Sequence, residues 1–124
     1  MPRQTMLNAA LGYAMASATI SAAMAAEAMV GRGDEREAEE AAAAAMRDAL
    51  NAIDIAGNVV VGEVDGQILN VGEKVGTGSG PELDIALEAL EGTTLTAKAM
   101  SNAIAVIAAC PRGGLLQVPD LYME

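Results

Sequence analysis

The chain of 124 residues contains no histidine, phenylalanine or tryptophan and a single cysteine. Without histidine there is neither a Ser-His-Asp triad nor a histidine-ligated zinc site, so any chemistry must use carboxylates, hydroxyls, lysine or tyrosine. One cysteine, Cys110, excludes an internal disulfide and agrees with a reducing compartment, so we predict a cytoplasmic protein. Cys110 itself is interpreted either as a small buried apolar residue or as a reactive thiol.

Basic residues are also scarce, with seven lysines and arginines against 17 acids and a net charge of −10. Such a surface repels nucleic acids and anionic lipids, so we expect neither a nucleic-acid nor a membrane partner. Divalent cations suit it better, because hard ions prefer oxygen ligands.

The length predicts one domain spanning residues 1–124. Its core must be built mainly from alanine, with eight methionines and two tyrosines. Small side chains bury little area each, so stability depends on close packing or on a partner chain. We therefore expect a homo-oligomer.

The segment 5–30 carries a single charge, Glu27, and predicts a helix over Gln4–Met29. Because alanine dominates the run and polar residues interrupt it, a buried or interface helix is favoured. A signal peptide and a membrane span stay open as alternatives, the former because of Ala-x-Ala sites such as Ala23-Met24-Ala25.

Local signals predict the remaining elements. Asp34 with Glu37 three residues on forms a capping box, and the helix that it opens has one apolar face, formed by Ala38, Ala41, Ala42, Ala45, Met46, Ala49, Leu50 and Ile53. The β-branched run 58–63 predicts a central strand, and Asp65-Gly66 a turn after which 68–71 pairs back as a second strand. A strand over Ile104–Ile107, a turn over Pro111–Gly114 and a last strand over Leu115–Val118 follow. This order predicts an α/β fold, a layered sandwich with N-terminal helices packed on a mixed sheet.

The glycines at 72, 76, 78 and 80 indicate either a phosphate cradle or a flexible loop. The Gly-Lys-Ser/Thr ending of a P-loop is missing. The loop reading is therefore the more common one for this pattern.

The segment Ile85–Thr94 holds Glu88 and Glu91, followed by Gly92 and two threonines. The carboxylate pair, turn and hydroxyl are typical of a divalent-metal phosphatase site. Pattern alone instead favours a helix from Pro81 to Gly92, since leucines recur at helical spacing. On a straight strand, residues three apart point to opposite faces. Glu63, directly after the predicted strand, is either a ligand, which Asp65 could join, or a solvated strand end.

Together these motifs resemble the class II fructose-1,6-bisphosphatase family of the lithium-sensitive phosphatase superfamily. The resemblance lies at Gly31-Arg32-Gly33-Asp34, Ala45-Met46-Arg47, Val61-Gly62-Glu63, Gly72-Glu73-Lys74-Val75-Gly76-Thr77-Gly78, Asp84-Ile85-Ala86, Glu91-Gly92-Thr93, Asn102-Ala103 and Pro119-Asp120-Leu121-Tyr122-Met123-Glu124. It covers nearly the whole chain in one order.

The resemblance implies a partial sugar-phosphatase fold and a Mg²⁺- or Mn²⁺-dependent enzyme that removes the 1-phosphate of fructose 1,6-bisphosphate in gluconeogenesis. By position it implies metal ligands at Glu39, Glu63, Glu88 and Glu91, of which 39 and 88 are aspartate in the family. It implies catalytic roles for Thr93 and Glu63, and substrate contacts from Glu91, Gly92, Thr93 and Tyr122. The alternative is a truncated or redesigned relative that folds and oligomerises without turning over substrate.

Overall fold

The computed structural model describes residues 8–63 and 66–116. In chain order its elements are α1 (Ala9–Glu27), α2 (Glu35–Asn51), β1 (Ala56–Val61), β2 (Lys74–Val75), β3 (Glu82–Glu91), α3 (Thr93–Ala97) and β4 (Ile104–Pro111). The strands form one open sheet in the order β2-β1-β3-β4. β1 and β3 run parallel and the other neighbours antiparallel, which makes the sheet mixed. The predicted α/β class is confirmed.

Helix α1 begins where the Asn8 side chain accepts a hydrogen bond from the Leu11 amide at 3.0 Å. Ala18, Ala22 and Ala26 are buried on one face, while the exposed fraction of Tyr13 on the other is 78%. The small side chains let α1 pack closely on α2. By length and composition alone α1 would also suffice to cross a membrane, a criterion that signal sequences and core helices of soluble proteins also meet.

Helix α2 begins as the sequence predicts. The Asp34 side chain accepts a hydrogen bond from the Glu37 amide at 2.9 Å, which satisfies one of the free N–H groups of the first turn. Met46 and Leu50, on the apolar face of the helix, are fully buried. The capping box and the apolar periodicity therefore agree, and the helix prediction is confirmed.

Strand β1 is central, as predicted, with β2 on one side and β3 on the other. The predicted pairing of 68–71 with it is wrong, because the strand that pairs antiparallel with β1 is Lys74–Val75. Leu69 has a φ of 59°, a left-handed conformation that interrupts any strand through it. Of residues 68–71, only Asn70 makes a bridge, an isolated one to Glu63.

The segment Glu82–Glu91 is a ten-residue strand, so the helix favoured by its leucine spacing is wrong. β3 lies between β1 and β4, and most of its residues are buried. Leucine, glutamate and alanine are good helix formers, but their intrinsic preference is well below 1 kcal/mol per residue. Two ladders of backbone hydrogen bonds and burial on both faces outweigh it.

Strand β4 confirms the predicted strand at Ile104–Ile107. Its inner residues Ala105, Ile107 and Ala109 pack against the core, whereas the outward Ile104 and Val106 stay 55% and 43% exposed. The turn at Pro111–Gly114 is also present, closed by a hydrogen bond from the Gly114 amide to the Pro111 carbonyl at 2.9 Å. Leu115 and Leu116 are not in a strand, and the rest of that predicted strand lies outside the described residues.

Candidate metal centre

Three glutamates from three separate elements meet at one point. Glu39 comes from the second turn of α2, Glu63 from the residues just after β1, and Glu88 from the last third of β3. One carboxylate oxygen of each lies within 4.8 Å of the others, and all three residues are half-buried. This spacing is short enough for the three side chains to bind a single cation.

The topology explains the meeting. β1 and β3 are adjacent parallel strands, so their carboxyl ends lie at the same edge of the sheet. The pairing of β1 with β3 shifts register between Val59 and Val61, just before Glu63. Such bulges are common beside functional sites, where they change the direction of a side chain.

The electrostatics of the three carboxylates favour a cation. Burial, followed by the nearby charges of Glu88 and Glu39, raises the pKa of the Glu63 carboxyl from 4.5 to about 7. Within the described residues, the Glu63 Oε1 atom is buried without a hydrogen-bond partner. A divalent cation would supply this oxygen with a partner and remove the repulsion, and carboxylate oxygens are the ligands that Mg²⁺ and Mn²⁺ prefer.

A cleft of about 480 Å³ opens beside Glu39 and Glu63. Arg36 and Arg47 line it from the same face of α2, and Arg36 forms an exposed ion pair with Glu40 at 2.8 Å. Guanidinium groups next to a carboxylate cluster that could bind a cation suit a phosphorylated ligand. Sequence reasoning did not assign these arginines, although the helical spacing of Arg36 from Glu39 could have indicated them.

Glu91 is the exposed last residue of β3 and is not one of the three clustered glutamates. The pairing of β3 with β4 contains a bulge, since Glu88 pairs with Val106 and Glu91 with Ile104. Val106 and Ile104 are two residues apart and share a face, so Glu88 and Glu91 also share a face of the sheet. A bulge thus brings together carboxylates that a straight strand would separate.

Gly92 and Thr93 form the junction between β3 and α3. Gly92 has a φ of 104°, and a Cβ there would lie 3.2 Å from the Ala103 Cα. Only glycine fits this turn without strain. Thr93 is the half-buried first residue of α3. Tyr122 and Asp65, the other predicted site residues, lie outside the described residues.

The glycine-rich loop 76–80 lies at the opposite end of β1 from Glu63. Two of its glycine amides already have partners close to the start of that strand, where Gly76 donates to the Asn51 side chain and Gly78 to the Ile55 carbonyl, both at 3.0 Å. The loop therefore supports the start of the sheet, and its position argues against a phosphate cradle for this cluster.

Comparison with known proteins identifies the family of the chain. Residues 9–124 match the model of the family described as bacterial fructose-1,6-bisphosphatase, glpX-encoded. The chain belongs to this family.

Individual relatives carry corresponding names. The chain is 47% identical over 109 residues to "Fructose-1,6-bisphosphatase 1 class 2" of Escherichia coli (strain K12), an alignment covering 86% of this chain and 32% of the relative. It is 43% identical to "Fructose-1,6-bisphosphatase class 2" of Haemophilus influenzae, over 95% of this chain and 36% of the relative. A Synechococcus protein named "D-fructose 1,6-bisphosphatase class 2/sedoheptulose 1,7-bisphosphatase" is 42% identical, over 90% and 31%. The chain thus spans about a third of the length of these relatives.

Proposed function

We propose that the chain provides the metal-binding part of a phosphatase that hydrolyses the 1-phosphate of fructose 1,6-bisphosphate in gluconeogenesis. The observation that carries the proposal is the convergence of the Glu39, Glu63 and Glu88 carboxylates to within 4.8 Å. The names of the relatives indicate a sugar bisphosphate as substrate. The proposal includes a cytoplasmic location and a homo-oligomer.

Mg²⁺ or Mn²⁺ would be held by Glu39, Glu63 and Glu88, with Glu91 as a further ligand from the same face of β3. A bound divalent cation supplies Lewis-acid stabilisation of phosphate charge and lowers the pKa of a bound water. The ion-holding role of Glu63 requires an ionised carboxylate.

The other proposed roles concern positioning. Gly92 and Thr93 follow β3 directly, so the strand that carries Glu88 also determines where the Thr93 hydroxyl lies. We assign Thr93 to orienting the attacking water and Glu63 to supporting the same step. Glu91, Gly92, Thr93 and Tyr122 would contact the substrate. Such placement contributes through orientation and preorganised charge.

The test is release of inorganic phosphate from fructose 1,6-bisphosphate with Mn²⁺, and with EDTA as the metal-free control. Glu63→Gln keeps the size of the side chain but removes its charge, and should lower the rate at least ~100-fold if the residue acts through the cation. Glu35→Gln, an exposed acid in the first turn of α2, is the matched control and should leave the rate unchanged. Phosphate release that is indifferent to both Mn²⁺ and Glu63→Gln would contradict the proposal.

A second candidate is a folded, metal-binding module without turnover. It is favoured by Glu39 and Glu88, because the resemblance implies aspartates at these positions and the extra methylene of glutamate displaces the ligating oxygen. Mn²⁺ binding that depends on Glu63 but is accompanied by no phosphate release would support it over the enzyme.

A further inference from the structure

Glu73 belongs to the most extensive motif of the chain, Gly72–Gly78, yet it is not among the clustered carboxylates. Its Oε1 atom accepts a hydrogen bond from the Leu69 amide at 3.0 Å. The Leu69 carbonyl in turn accepts one from the Glu63 amide at 2.9 Å. Two hydrogen bonds therefore connect Glu73 to the residue whose carboxylate lies in the cluster.

Leu69, the residue between them, has an unfavourable backbone conformation. Its φ is 59° and it is fully buried. A leucine adopts the left-handed region only when its surroundings hold it there. On one side the backbone of Gly62, directly after β1, approaches closely, since a Cβ there would collide with the Leu69 carbonyl oxygen. On the other side, the hydrogen bond from Glu73 fixes the Leu69 amide.

A glutamate is energetically unfavourable at position 73. Within the described residues its Oε2 atom is buried and has no hydrogen-bond partner. A buried oxygen without a partner costs free energy, so a carboxylate here needs a compensating role. The bond from Oε1 to Leu69 is the contact that could provide it.

We infer that Glu73 is a positioning residue, which holds Leu69 in its left-handed conformation and thereby orients Glu63 towards Glu39 and Glu88. The inference rests on the proposed function, because it takes Glu63 to be a metal ligand. It gives the Glu73 of the matched motif a role that does not require direct contact with metal or substrate.

The test compares Glu73→Ala, which removes the acceptor, with Glu73→Gln, which keeps an oxygen at the same position. The first readout is hydrogen exchange of the Glu63 and Leu69 amides in the metal-free protein. The second is Mn²⁺ affinity by calorimetry. Glu82→Ala, at an exposed position at the start of β3, is the control and should change neither.

We expect Glu73→Ala to accelerate exchange of both amides and to weaken Mn²⁺ binding by ~10–100-fold, as loss of an outer-shell partner does. Glu73→Gln should restore protection and bind Mn²⁺ within about threefold of the parent, since its oxygen still accepts the Leu69 amide. If Glu73→Ala does not fold, Glu73→Asp takes its place, because the shorter side chain should lose the Leu69 bond.

Unchanged protection of the Glu63 amide in a folded Glu73→Ala protein would overturn the inference. Equal loss of Mn²⁺ affinity in the alanine and glutamine variants would also overturn it, because it would show that the charge of Glu73 matters rather than its bond to Leu69. If the parent binds no Mn²⁺ while exchange still accelerates in Glu73→Ala and recovers in Glu73→Gln, the proposed function fails and the positioning of Glu63 by Glu73 stands.

Discussion

Replacing Glu63 by glutamine should make the metal-free protein more stable at alkaline pH. Burial, followed by the charges of Glu88 and Glu39, raises the pKa of the Glu63 carboxyl from 4.5 to about 7. Below pH 4.5 the group is protonated in both the folded and the unfolded chain. Between 4.5 and 7 the unfolded chain releases the proton while the folded chain retains it, so the free energy of unfolding falls as pH rises. Above about pH 7 the loss is complete.

The size of this effect follows from the pKa difference. A rise from 4.5 to about 7 would correspond to ~3.4 kcal/mol for a fully buried group, at about 1.36 kcal/mol for each pH unit. Because Glu63 is only half-buried and solvent screens its charge, we expect about 1–2 kcal/mol. Glutamine has no titrating proton, so the parent should lose this much between pH 5 and pH 8 relative to Glu63→Gln.

The assay is urea unfolding at pH 5, 6, 7 and 8 in EDTA, for the parent, Glu63→Gln and the exposed control Glu35→Gln. The control should differ from the parent by a constant amount. Mn²⁺ at about 100 times its dissociation constant should stabilise the parent at pH 8 by about 2.7 kcal/mol, and Glu63→Gln by much less. A difference between parent and Glu63→Gln that does not change with pH would refute the account of the cluster.

Three further outcomes follow from particular contacts. Gly92→Ala should lower the free energy of unfolding by about 1–3 kcal/mol, because alanine is strained at a φ of 104° and its Cβ would crowd Ala103. Chemical denaturation measures this change, and an unchanged midpoint would contradict it. Asp34→Ala should cost about 1 kcal/mol by removing the N-cap of α2, and helicity and Tm that match the parent would disprove the cap's contribution. In calorimetry, Glu88→Gln should weaken Mn²⁺ binding by at least ~10-fold and more than Glu91→Gln does, because Glu88 is the one that lies within the cluster; the opposite order would place the ion nearer Glu91.

Features determined by neighbouring residues could be predicted from the sequence. Helix α2 needs only the Asp34 cap and an apolar face at helical spacing, both of which are local. The central position of β1 follows from its continuous β-branched run. The turn at Pro111–Gly114 likewise depends on residues that are adjacent in the chain.

Features determined by residues that are distant in the chain could not be predicted from the sequence. The segment Glu82–Glu91 has helical spacing, but β1 and β4 on either side impose a strand. The predicted strand 68–71 does not form because it is interrupted by the left-handed Leu69, which no residue pattern indicates. Helix α1 is buried along one face only. Because alanine occurs all round the helix, the sequence does not show which face that is.

The residues of the candidate site likewise depend on contacts between distant parts of the chain. The spacing of Glu39, Glu63 and Glu88 has no meaning until α2, β1 and β3 are assembled, so they were indicated through the resemblance to a family and not by spacing. Glu88 and Glu91 share a face because of a bulge opposite β4. A helix would also have placed them on one face, but a straight strand would not.

The central claim is that carboxylates from α2, from β3 and from the residues just after β1 together hold one divalent cation. Calorimetric titration of Mn²⁺ at pH 8 into the parent, Glu63→Gln and Glu35→Gln tests it most directly. The account predicts saturable binding by the parent and by Glu35→Gln, and at least ~10-fold weaker binding by Glu63→Gln. No saturable binding by the parent, or equal affinity in Glu63→Gln, would contradict it.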